Sequence, residues 1–146
     1  MRVAEYMRRG VNAVDPESSI QEAATQMVNL KIGALFVARG DALVGVLTDR
    51  DIILRVVVKG GNSASMKVSD VMSTTLFSCS EDDTIESVVA QMRERQIRRM
   101  PVYNADGHPT GVIAVSDLAK AIKKPEQMQE VLRHASRSKT SEEVTG

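Results

Sequence analysis

Few side chains in this chain are equipped for chemistry, and those that are suit binding better than bond-making. Cys79 is the single cysteine, His108 and His134 are far apart, and no Cys or His pair has metal-ligand spacing. Catalysis needs a base within hydrogen-bond reach of a reacting group, so this inventory predicts no enzyme activity. The thiol lies in the alternating run Leu76-Phe77-Ser78-Cys79 and reads as a partly buried strand residue. The carboxylates carry more. Thr48 and Asp51 have the spacing of a capping box, in which each satisfies the other's backbone donor. Asp117 stands at the same distance from a glycine and two apolar residues as Asp51 does. Asp49, Asp51 and Asp117 are also of the type that holds a divalent cation, which for Mg²⁺ usually arrives with a phosphate. Arg93, Arg95, Arg98 and Arg99 form the densest basic run, either a solvated face or a set of phosphate contacts.

The elements that position these residues are written twice. An offset of 65 sets Val3 on Val68, Met7 on Met72, Ile20 on Ile85, Met27 on Met92, Ile32 on Ile97 and Val37 on Val102. After one extra residue in the second hairpin turn, an offset of 66 sets Gly45 on Gly111, Val46 on Val112 and Asp51 on Asp117. In each copy a polar lead ends at a helix cap, expected at Ser18 with Gln21 and at Asp83 with Glu86. Ile20, Ala23, Ala24 and Met27, and then Ile85, Val88, Val89 and Met92, give each helix one apolar face. A hairpin follows, from Ala34 to Val37 and Leu43 to Leu47, and again from Met100 to Tyr103 and Gly111 to Ile113. Second helices are expected over about 49–58 and 116–123. This order predicts a mixed α/β (α+β) chain with repeats at 1–62 and 63–124, then a short helix from Glu126 to about Ala135 and a polar tail within 125–146.

Composition narrows the function. Lys plus Arg and Asp plus Glu number 19 each, so no net field draws the chain to DNA or an anionic membrane. With no Trp, two Phe and two Tyr there are few rings on which bases could stack. No stretch reaches membrane-spanning length and the N-terminus has no signal-like apolar run, so a cytoplasmic location is expected.

Gly45-Val46-Leu47-Thr48-Asp49-Arg50-Asp51 resembles the Gly-apolar-x-Thr/Ser-x-x-Asp signature of cystathionine-β-synthase-type (CBS) repeats, and Gly111-Val112-Ile113-Ala114-Val115-Ser116-Asp117 is a partial copy. Arg98-Arg99-Met100-Pro101-Val102 and the lead-ins Val3 to Met7 and Val68 to Met72 also look like segments of such repeats, so the likeness covers about residues 1–124. It implies two βαββα-type repeats packed about a pseudo-twofold axis, with two clefts between them that take AMP, ADP, ATP or another adenosyl ligand. It further implies a regulatory module, a homodimer, and an unidentified target protein. No cofactor is required, and Mg²⁺ would come only with ATP.

The resemblance assigns a first cleft to Gly45, Val46, Thr48, Arg50 and Asp51, with the base near Phe77, Ile97, Arg98, Arg99 and Pro101. A second cleft would take Val112, Ser116 and Asp117, lined by Val11, Asn12, Ile32, Gly33 and Ala34. Asp51 suits a ribose, because a carboxylate accepts charge-assisted bonds from two adjacent hydroxyls. Thr48 would mark a strand-to-helix junction whose free N–H groups favour phosphate, and Gly45 would let the chain turn closely. If Arg98 and Arg99 enter that cleft, a di- or triphosphate is favoured over AMP. The second motif departs from the pattern: Ala114 replaces the hydroxyl, leaving only Ser116 beside Asp117, and Phe36 stands where Pro101 stands. Alone, Thr48-x-x-Asp51 reads as a helix cap. Its duplication favours a ligand, although shared ancestry would preserve a second copy without one. The rival reading is a protein-interaction module with vestigial, empty clefts.

Overall fold

The apolar stripes of the two copies become two helices of equal length, each laid against a hairpin. In a computed structural model of the chain, which describes residues 1–121, a 3₁₀ turn at Val3–Glu5 precedes β1 (Arg8–Arg9) and β2 (Ala13–Val14). The first copy continues through α1 (Ile20–Leu30), β3 (Ala34–Arg39), β4 (Ala42–Thr48) and α2 (Asp49–Ile52), which runs on as a π-turn over Ile53–Val57. The second continues through α3 (Val68–Val71), β5 (Cys79–Ser80), α4 (Ile85–Arg95), β6 (Arg99–Tyr103), β7 (Pro109–Ala114) and α5 (Val115–Ala121). The short helix and tail expected within 125–146 lie outside the described residues.

Three local expectations need correction. The helix caps are Ser19 and Thr84, whose hydroxyls accept from the N–H groups of Glu22 (3.0 Å) and Ser87 (3.1 Å), and not Ser18 and Asp83. Those two are already committed to the lead-in turns. Ser18 N–H donates to Asp15 O and its carbonyl accepts from Val68, while Asp83 Oδ2 accepts from Ser80 N–H at 2.9 Å. Each helix therefore starts one residue later. Next, the helix expected at about 49–58 is α-helical for only its first four residues before widening to π geometry, with Val58 N–H reaching Ile53 O at 2.9 Å. Finally, Gly45 makes no turn. It lies inside β4 opposite Val37, where a Cβ would meet Met72 Sδ at 2.7 Å and Ser73 O at 2.8 Å. Close approach of backbone is what requires glycine there.

The described residues form two compact units, and these differ from the sequence copies. One is Asn12–Leu76, with the sheet order β2-β3-β4; the other joins residues 1–11 to those from Phe77 onward, with the order β1-β7-β6-β5. The lead of each copy thus pairs with the hairpin of the other. β1 sets Arg8 opposite Val112 and Arg9 opposite Gly111, and the segment after α3 sets Ser73 opposite Val46. Within the first unit Ile20, Ala23 and Met27 of α1 bury against Leu35, Val37 and Leu47 of the hairpin and Val68 and Val71 of α3. In the second, Ile85, Val88 and Met92 of α4 are buried, as are Met100, Val102 and Ile113 of its hairpin. Burying a side chain of this size contributes about 1.5–3 kcal/mol.

Candidate functional site

β4 delivers Thr48 in extended conformation (φ −113°, ψ 161°), and the chain turns there into α2. The turn is held from both sides. Asp51 N–H donates to Thr48 Oγ1 at 3.0 Å, and Thr48 N–H donates to Asp51 Oδ2 at 2.9 Å. The capping box read from the sequence is therefore real, and it uses only one carboxylate oxygen. Asp51 is 1% exposed, and its Oδ1 has no hydrogen-bond partner among the described residues. Buried polar groups are nearly always partnered, and an unsatisfied one costs about 1–3 kcal/mol, more when charged. Oδ1 thus keeps acceptor capacity that only a donor from outside the unit's own hydrogen bonds would fill.

Neighbouring groups support the junction without touching Oδ1. Asp49 N–H donates to Gly33 O at 2.9 Å, and a Cβ on Gly33 would stand 3.0 Å from Asp49 Oδ2. Arg50 is exposed, with its N–H on Asp49 Oδ1 at 2.8 Å. Of the residues assigned to the second cleft, Ile32 packs against the core of this same unit and Ala34 pairs with Thr48 across β3 and β4. Gly33 and the exposed Asn12, whose carbonyl accepts from Phe36 N–H, also belong to it.

The matching junction in the other unit is built alike and ends differently. Asp117 is 2% exposed, and its Oδ2 accepts from Ala114 N–H at 2.8 Å. Its Oδ1 accepts from Arg8 Nε at 3.4 Å, an ion pair that β1 supplies. Ser116 is exposed and Val112 half-buried. In the same unit Phe77 lies under the Arg95 guanidinium, 4.1 Å from the ring centroid. Ile97 and Pro101 are buried, Arg98 is exposed with its carbonyl accepting from Val115 N–H, and Arg99 heads β6. Val11 closes the N-terminal segment of that unit. The structure thus gathers Gly45, Val46, Thr48, Arg50 and Asp51 in one unit, and Val112, Ser116, Asp117 and the basic run in the other.

Arg8 escaped the sequence reading. Its only signal was the offset of 65, which sets Arg8 on Ser73 and so marks a position where the copies differ in charge. Cys79 is buried in β5 as its alternating neighbours suggested; desolvation first, and then the nearby Asp83, push its thiol up to about 12. Among the described residues no group of three or more His, Cys, Asp or Glu side chains could hold a metal ion, and no helix is long and apolar enough to cross a membrane.

Paired strand-to-helix junctions, each closed by a buried aspartate, define a repeat module, and comparison with known proteins identifies its class. The CBS domain family matches residues 3–58 and again 68–124, so the chain belongs to that family as a protein with two CBS repeats. It is similar to the CBS domain-containing protein YhcV of Bacillus subtilis, 38% identical over 117 residues that cover 80% of this chain and 82% of YhcV. Its fold is shared by a CBS domain protein of Pyrobaculum aerophilum solved with AMP (TM-score 0.73, 21% identity, 91% of this chain and 99% of that one). The CBS domain pair of protein MJ0100, solved with 5′-methylthioadenosine and S-adenosyl-L-methionine, also shares it (TM-score 0.71, 20% identity, 83% of this chain and 94% of that one).

Proposed function

We propose that this chain is a non-enzymatic regulatory module that binds an adenine nucleotide or related adenosyl ligand reversibly at the Thr48/Asp51 junction. One observation carries the reading: a carboxylate oxygen 1% exposed in its residue and left without a partner, beside a cap that already holds the other oxygen in place. Oδ1 offers two lone pairs to the adjacent hydroxyls of a ribose, and the cap fixes their direction before the ligand arrives. CBS proteins of the same fold hold AMP, 5′-methylthioadenosine and S-adenosyl-L-methionine, ligands that share that diol. At their level of identity the likeness carries the fold, and the ligand reading rests on Asp51.

Binding regulates a partner only if the ligand prefers one of two arrangements. The partner proposed is a target protein in the cytoplasm, reached by a homodimer of this chain. The large apolar side chains Ile53, Val57 and Val58, exposed after α2, favour association with a second copy. Mg²⁺ enters this scheme only as the companion of ATP.

The experiment is titration calorimetry with AMP, ADP, ATP and S-adenosylmethionine, preceded by mass spectrometry of small molecules released from the purified protein. Saturable binding that weakens by about ten- to a hundredfold in Asp51→Ala is expected. Silence with every ligand, and none released, would leave the docking module with empty clefts as the reading.

A further inference from the structure

We infer that Arg8 closes the second junction to a ribose, so that the chain binds one nucleotide and not two. The inference rests on the ligand reading just given, and it is carried by a comparison of two equivalent rungs. In one unit Ser73 is bridged to Val46; in the other Arg8 is paired with Val112, and Val46 and Val112 are the same position of the repeat. Met72 and Ser73 crowd Gly45 as Met7 and Arg8 crowd Gly111, so the two backbones follow the same path. Only the side chain differs. Ser73 is short and buried, and Asp51 Oδ1 stays without a partner. Arg8 is long enough to reach the carboxylate three residues past the end of its partner strand, and its Nε meets Asp117 Oδ1 at 3.4 Å.

The oxygen that Arg8 takes is the counterpart of the one left open on Asp51. Both carboxylates spend Oδ2 on the backbone N–H three residues earlier, at 2.9 Å from Thr48 and 2.8 Å from Ala114. A diol approaching Asp117 would have to displace a donor of opposite charge and give up the Arg8–Asp117 ion pair for bonds from neutral hydroxyls. Nor is Arg8 free to wander. β1 is tied to β7 by Arg8 with Val112 and Arg9 with Gly111, Gly10 N–H donates to Thr110 O at 2.9 Å, and Arg9 pairs with Glu81 at 3.5 Å. The side chain itself is 68% exposed, so its removal leaves no cavity. Arg8 acts on the ligand through Asp117 and is a positioning residue of negative sign.

The test is the number of AMP molecules bound per chain, read by calorimetry on the full chain. The wild type is expected to bind one. Arg8→Ser, which copies the open rung, is expected to bind a second AMP more weakly than the first, since Ala114 brings no hydroxyl, and Asp117→Asn in that background should remove it. In the reverse exchange, Ser73→Arg should weaken AMP binding at Asp51 by about tenfold or more, the loss of one charge-assisted contact. An Arg8→Ser protein that still binds one AMP overturns the inference and leaves Asp51 as the site. So does an Arg8→Ser protein that binds its first AMP more weakly than the wild type does, because Arg8 would then be a ligand contact. Absence of binding of AMP, ADP, ATP and S-adenosylmethionine in both the wild type and Arg8→Ser overturns the ligand reading itself.

Discussion

Thr48 and Asp51 hold one another through two reciprocal bonds of 3.0 and 2.9 Å, and the exchange consumes one oxygen of a carboxylate that has two. The cap and the proposed ligand site are therefore one structure. Helix punctuation explains Oδ2 and leaves Oδ1 unexplained; the binding reading explains both.

Separating the two roles is the first expectation. Thr48→Ala removes the hydroxyl acceptor of Asp51 N–H and should lower stability by about 0.5–2 kcal/mol, the usual worth of such a cap. Thr48→Ser should restore it. Asp51→Ala keeps the bond from its own N–H to Thr48 Oγ1, loses the acceptor of Thr48 N–H and removes the buried oxygen that lacks a partner, so its stability should fall less than its ligand binding. Urea denaturation beside calorimetry reads both.

Gly45→Ala and Gly111→Ala should each destabilise by about 1–3 kcal/mol, as overpacking does. At Gly45 the new methyl meets Met72 Sδ, which can move, and Ser73 O, which is backbone. At Gly111 it meets the carbonyl oxygen of Arg8. Gly111→Ala should therefore also loosen β1, and amide exchange should show lost protection at Gly10, whose N–H bonds Thr110 O.

Cys79 supplies a pH dependence with a definite sign. Its thiol is pushed up from 9.0 to about 12 in the folded chain by burial and by Asp83. From 9.0 upwards the unfolded chain loses this proton first and the folded chain keeps it until about 12. The Cys79 contribution to stability should accordingly be constant below 9.0 and fall as pH rises through that window. Alkylation by iodoacetamide at pH 8.5 should be slow in the native protein and fast in urea, and Cys79→Ala should flatten the alkaline limb of the stability curve.

What the sequence made legible follows the range of the interaction that decides it. The helical stripes at Ile20 and Ile85, the hairpins about Gly40 and Gly107, and the Thr48/Asp51 cap all depend on neighbours a few positions away. A periodic pattern reports those. The one-residue slip from Ser18 to Ser19 was invisible because Ser18 spends its carbonyl on Val68, remote in sequence. Arg8 was missed for the same reason. A two-residue strand has no period, and its partner Asp117 lies 109 positions on. That Asp117 is chemically unlike Asp51 follows from Arg8 standing where Ser73 stands on a lead that pairs with the other copy's hairpin, a pairing that composition and spacing do not encode.

The claim that Asp51 Oδ1 receives a ribose diol is tested most directly by comparing AMP with its 2′,3′-dideoxy analogue on the wild type and on Asp51→Ala. Loss of bonds to a charged acceptor should weaken the analogue by about ten- to a hundredfold on the wild type. On Asp51→Ala the two nucleotides should bind alike. Equal affinity of AMP and the dideoxy analogue for the wild-type chain would contradict the account.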